Sequence, residues 1–166
     1  GLAPGPNPRA YVPNPFTAVD PLGLAPDCET AARDAARRRA DEEQARPGAS
    51  KKTRPTSAAG LSVPGHETPF TGASVKGGGN HDLHPDIQAA YDDVPLDIRQ
   101  RMGGQHGRCG EAEALSDAMK AGVNPRGGVM AAVNVRAEGN AAHGTPKPPC
   151  ESCADVLGRL NIRAVS

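Results

Sequence analysis

Tryptophan is absent, and the other aromatic residues are Tyr11, Phe16, Phe70 and Tyr91. A core assembled without them must come from Val, Leu, Ile, Met and many Ala. Net charge is absent too, since 19 basic and 19 acidic side chains cancel. That removes the bulk electrostatic signature of a nucleic-acid binder and leaves only a local basic groove open. No apolar run approaches the ~20 residues a membrane-spanning helix needs, so no such span is expected. No charged-then-apolar signal peptide opens the chain. It begins mid-phrase without Met and reads as a fragment of a longer protein. Gly77-Gly78-Gly79 lacks the GK[ST] ending of a phosphate loop and reads as a flexible turn.

What is present divides unevenly. Proline recurs through residues 1–26, GLAPGPNPRAYVPNPFTAVDPLGLAP, where neither helix nor central strand can persist. All five His residues follow Gly65, and three of the four Cys follow Gly107, so chemistry belongs in the second half. Residues 27–46 are rich in Ala, Arg, Glu and Gln and predict a helix, capped by Asp27 and ended by Pro47-Gly48. With almost no large apolar residue it is expected to be a solvated linker helix, with Cys28 an isolated free thiol. A polar stretch carries the linker to residue 57, and residues 58–166 form the expected domain.

Within that domain, Ala58–Val63 and Pro69–Val75 predict a hairpin around Pro64-Gly65-His66-Glu67. A helix with Ile87, Ala90, Tyr91 and Val94 on one face is expected after His84-Pro85, stopped or kinked at Pro95. A second runs from Cys109 to Lys120, with Gly122 beyond its end. Val129–Val135 is the best strand, a polar loop leads to Pro149, a third helix spans Cys150–Leu160, and Ile162–Val165 is a last short strand. This order predicts an α/β fold with helices layered on a small sheet.

Two short strings carry the chemistry: Cys109-Gly110-Glu111 and Pro149-Cys150-Glu151-Ser152-Cys153. Each falls where a helix should begin, and free N–H groups with the positive dipole end favour thiolates there. Three thiolates from two helix starts can hold one tetrahedral Zn²⁺ and leave its fourth position for water. Zinc brings the pKa of such a water to roughly 7. Glu111, two residues after the first sulfur, suits a proton shuttle. CxE followed by PCxxC is the zinc nucleobase deaminase pattern, in which the Glu is not a ligand. A lone CxxC would equally suit a redox dithiol, a disulfide or a zinc knuckle.

The stretch from Leu83 to Ile162 resembles the YwqJ-like branch of bacterial toxin deaminases. The likeness lies in LHPDIQAAYDDVP, HGRCGEAEALSDAM, the GG before the strand, and HGTPKPPCESC with LGRLNI. It implies a three-layer α/β/α fold with a small central sheet. The implied ligands are Cys109, Cys150 and Cys153, with Glu111 as the catalytic acid–base. Cys in place of the commoner His as first ligand is an accepted variant. Upstream, YVPNPFTAVDPLGL resembles the end of the core in Rhs/YD-repeat polymorphic toxins, through Asn14, Pro15, Asp20, Pro21, Gly23 and Leu24. In that family an Asp-Pro motif is linked with self-cleavage that frees the toxin, and one such motif stands here.

The two resemblances imply a secreted or contact-delivered effector acting in the target-cell cytoplasm, with a protecting immunity protein in the producer. The implied reaction is hydrolytic deamination of cytosine to uracil in nucleic acid, with DNA favoured. RNA, free nucleotides and adenine stay open, as does a non-catalytic zinc module needing a fourth ligand such as His106 or His143. Other residues have alternative uses. Glu113 shares the helix face by spacing, and the family register selects Glu111 instead. Phe70, Asn80 and His143 are candidate substrate contacts. Tyr91 is read as core. The Asn80–His84 cluster, NHDLH, suggests an HNH-type nuclease only superficially, and Asp82 or His84 as a helix cap is the simpler use.

Overall fold

The computed structural model describes residues 27–166. The Pro-rich leader and its DPLGL string lie outside the described residues. The elements follow in the order α1 (Cys28–Ala45), β1 (Ser57–Ser62), β2 (Phe70–Ala73), α2 (Pro85–Asp92), α3 (Leu96–Met102), α4 (Gly110–Lys120), β3 (Val129–Asn134), α5 (Glu151–Arg159) and β4 (Arg163–Val165). The hairpin, both later strands and the helices at 85, 110 and 151 fall where the sequence places them. The helix α3 was not anticipated. Pro95 does end α2, but it also stands as N-cap to a fresh start at Leu96, a place where its missing N–H costs nothing.

The sheet order is β2-β1-β3-β4. β1 pairs antiparallel with both β2 and β3, and β4 lies parallel to β3. Side chains alternate between its faces, as a period of two requires. Ala59, Leu61, Met130 and Ala132 face α2, α4 and α5 and join Ile87, Tyr91, Leu115, Val156 and Leu157 in the main core. Ala58, Val129, Ala131 and Val133 face the other way and meet Ala32, Ala36 and Ala40 of α1. The result is three layers, α/β/α, as expected. Among the described residues no helix is long and apolar enough to cross a membrane.

The expectation of a solvated α1 is corrected. Asp27 caps it as foreseen, accepting from Thr30 N–H at 2.7 Å, but Ala32, Ala36 and Ala40 are fully buried. They repeat every four residues and form a stripe of small side chains. Opposite them stands Gly60, where a Cβ would collide with the Ala32 carbonyl and lie 2.7 Å from the Ala36 nitrogen. The stripe buries area by closeness of backbone approach, with no large side chain required.

A second close approach fixes the start of α4. A Cβ on Gly110 would lie 2.8 Å from the Gly72 carbonyl oxygen and 3.2 Å from Ala59 N. The glycine of Cys-Gly-Glu thus lets the first turn of α4 rest directly on β1 and β2, which sets the positions of its two neighbours.

Candidate metal centre

Cys109 is the N-cap of α4 and Cys150 the N-cap of α5, both with extended backbone. Cys153 lies in the first turn of α5 and is fully buried. All three sulfurs lie within 4.8 Å of one another, and Cys109 Sγ is 3.4 Å from Cys150 Sγ. Residues 41 positions apart in the chain are thereby joined, because each begins a helix resting on the same sheet.

The sulfurs share protons unequally. Cys150 is held far below the usual thiol range, to about 2, first by its hydrogen bond with Cys109 and then by Cys153. The Cys153 and Ser152 N–H groups at the helix start lower it further. Cys109 is pushed up foremost by its hydrogen bond with Cys150, which Cys153 opposes, and then by burial; Cys153 is pushed up by both other sulfurs and then by burial. Three convergent thiols with one already anionic are a donor set for a soft or borderline divalent cation, and zinc fits it. Among the described residues no histidine or carboxylate joins the group, so a tetrahedral ion held by these three sulfurs would have one position free of protein ligands.

Glu111 is 3% exposed. Burial pushes its carboxyl up to about 7, the negative character of Cys150 adds to the rise, and Lys147 opposes it. Its charge in turn raises Cys109 and Cys153, and it follows Cys109 by two residues in the first turn of α4. Glu113 is turned elsewhere. Its Oε2 accepts from Ala73 N–H at 2.6 Å and lies 3.9 Å from Arg39 on α1. Spacing left the two glutamates equivalent, and the β2 edge separates them.

Other residues named from sequence scatter. Asn80 Oδ1 accepts from Arg108 Nε at 2.9 Å, directly before the first sulfur. His81 Nε2 donates to the Cys109 carbonyl at 3.1 Å. His84 caps α2, its Nδ1 accepting from Asp86 N–H at 3.2 Å. Phe70 opens β2 and stacks on His66, ring centroids 4.8 Å apart. His143 is tied to α1: Nδ1 accepts from Arg136 N–H at 3.1 Å, and Nε2 donates to Asp41 at 2.9 Å. His106 Nδ1 is paired with Ser152 Oγ at 2.9 Å.

Sequence reading missed one participant. Tyr91 has the core position expected of it, but its hydroxyl lies 3.2 Å from Cys153 Sγ. Its ring meets His106 edge-on at 5.7 Å. A buried tyrosine hydroxyl requires a partner, and that rule was the available signal. Against a thiolate the hydroxyl can only donate.

Fold and site together define an α/β/α protein with three convergent thiols, able to hold a metal ion, at the N-termini of two neighbouring helices. The chain belongs to the YwqJ-like deaminase family, whose family model matches residues 41–162. Membership implies hydrolase activity on C–N bonds. Comparisons with curated proteins and with solved structures give no match.

Proposed function

We propose that this domain hydrolytically deaminates cytosine to uracil in nucleic acid, DNA foremost, with zinc held by Cys109, Cys150 and Cys153. The observation that carries the reading is a buried carboxylate, Glu111, set beside three convergent thiols. A zinc ion bound there supplies the Lewis acidity that makes water a nucleophile at neutral pH. Glu111 takes a proton from the attacking water and passes it to N3 of the base as C4 is attacked. A second proton goes to the amino group, which leaves as ammonia, so cytosine and water become uracil and ammonia. A carboxyl raised by burial is suited to both accepting and returning protons near pH 7.

The rival reading, a purely structural zinc module, needs a fourth protein ligand. Among the described residues neither candidate, His106 or His143, joins the sulfur cluster, and both ring nitrogens of His143 are already bonded, to Asp41 and to Arg136 N–H. The DPLGL leader and its likeness to Rhs-type proteins support delivery as a toxin into a competing cell, with an immunity protein blocking the site in the producer.

The test is incubation of the domain with single-stranded DNA, duplex DNA, RNA and free cytidine, read by sequencing and by ammonia release. Cytosine should convert in at least one, DNA first. Glu111→Gln should lower the rate about 10²–10⁴-fold while keeping one metal per chain. Full activity in that variant would remove Glu111 from the mechanism.

A further inference from the structure

We infer that a basic cleft beside the metal centre grips the phosphodiester backbone of a polynucleotide, so that the substrate is a strand and not a free nucleotide. The inference deepens the deaminase reading and rests on it. The cleft lies where β1 begins and where β2 and β3 end. Lys51, Arg54, Lys76 and Arg136 line a cavity of about 400 Å³, with Val135 and Asn140, and no carboxylate lines it.

None of these four cations makes an ion pair among the described residues, whereas Arg33, Arg39, Arg46, Arg101 and Arg159 each hold a carboxylate. In a chain of zero net charge, leaving four unneutralised cations in one concavity concentrates positive potential there. The Glu138 carboxylate, on the loop that follows β3, does not line the cavity.

Three of the cations are held in place: Lys76, Arg136 and, through its bond to the Ala49 carbonyl at 3.3 Å, Arg54. Lys76 Nζ donates to the Lys51 carbonyl at 2.6 Å. The Arg136 guanidinium donates to the Thr56 carbonyl at 2.9 Å and to Asn134 Oδ1 at 2.8 Å. Arg54 Nε is buried with no hydrogen-bond partner. Groups already ordered lose little entropy on meeting a ligand.

One backbone hydrogen bond sets the cleft next to the start of α4: Val75 N–H, beside Lys76, donates to the Arg108 carbonyl at 2.9 Å, and Arg108 directly precedes Cys109. A strand gripped at Lys76 therefore lies within a few residues of the first sulfur. Among the described residues base stacking has little affinity to offer, since Tyr91 is buried and Phe70 is stacked on His66. Attraction to phosphates must supply it, and such attraction is salt-dependent.

The experiment measures binding of Glu111→Gln protein to fluorescent single-stranded DNA and RNA of equal length across a salt series. Log affinity should fall against log salt with a slope of about −0.7 per phosphate contact, near −2.8 for four contacts. Lys51→Ala with Lys76→Ala, both exposed side chains, should flatten the slope by about 1.4 and weaken binding at least about tenfold at ~0.1 M salt. Arg37→Ala with Arg38→Ala, exposed on α1, should change neither. Whichever sugar binds tighter names the source of the strand.

A slope shallower than about −1 in the unaltered cleft overturns the inference without recourse to any variant. So does an unchanged slope in the lysine variant, or an equal loss in the α1 variant. Displacement of the strand by cytidine monophosphate at equal phosphate concentration would assign the cleft to single phosphates. Equal displacement by polyglutamate would assign it to an acidic protein. Binding is read without turnover, so the two readings fail separately. A domain that binds strands but never converts cytosine sinks the reaction, and one that converts free cytidine but ignores strands sinks the cleft.

Discussion

The two faces of the sheet solve the same burial problem with opposite materials. Toward α1 the contacts are Ala32, Ala36 and Ala40 against Ala58, Ala131, Val129 and Val133, with Gly60 at the closest approach. Toward α2, α4 and α5 the contacts are Leu61, Met130, Ile87, Tyr91, Leu115 and Leu157. The first face is made by proximity and the second by volume. Only the second, roomier face carries the sulfurs and Glu111. On that face the large side chains fill the space beneath the helices, while at Gly110 the first turn of α4 comes down onto β1 and β2 and fixes Cys109 and Glu111 in place.

This contrast can be broken or sharpened by substitution. The largest effect is expected at the metal centre: Cys153→Ser should abolish stoichiometric metal uptake, measured by elemental analysis. It should also lower the melting temperature more than any single change at α1, since metal binding is linked to folding. Leu115→Ala, deep in the volume-packed face, should cost about 2–5 kcal/mol in denaturant unfolding. Gly60→Ala follows, at about 1–3 kcal/mol, because its new methyl meets backbone atoms that cannot step aside. A neutral Gly60→Ala would show that α1 is not closely seated, and the contrast would collapse. The smallest effect belongs to Tyr91→Phe, about 0.5–1.5 kcal/mol for one hydroxyl contact. In the cobalt-loaded protein it should also shift the thiolate-to-metal absorption band, which a change in packing alone would leave in place.

The same contrast explains what the sequence disclosed. Elements whose signal is local were legible: the Asp27 cap, the hairpin turn at Pro64-Gly65, the apolar run of β3, and the helix starts at Cys109 and Cys150. The α1 face was misread because hydrophobicity was sought in large side chains, and alanine at every fourth position looks polar when surrounded by arginine and glutamate. The centre of the sheet was not legible, since Ser57 pairs with Asn134 and nothing local announces so distant a partner. At the site, the three sulfurs and Glu111 were readable because each has a fixed offset from a helix start. Tyr91, Lys147 and the His106–Ser152 pair were not, because they arrive from separate segments. Of the residues read as substrate contacts, Asn80 is bonded to Arg108, the residue before Cys109, while His143 is engaged by Asp41 on α1.

The strand order has one further consequence. β1 and β2 precede the Gly77-Gly78-Gly79 turn, where Gly77 and Gly78 have positive φ, and β3 and β4 follow it. Cleavage at that turn would leave every sulfur of the centre on one fragment and half the sheet on the other. The fragment with the thiols would lack the strands on which the first turn of α4 rests. Neither fragment alone would hold both the sulfurs and the strands that position them, so the centre depends on a chain that stays continuous through this turn.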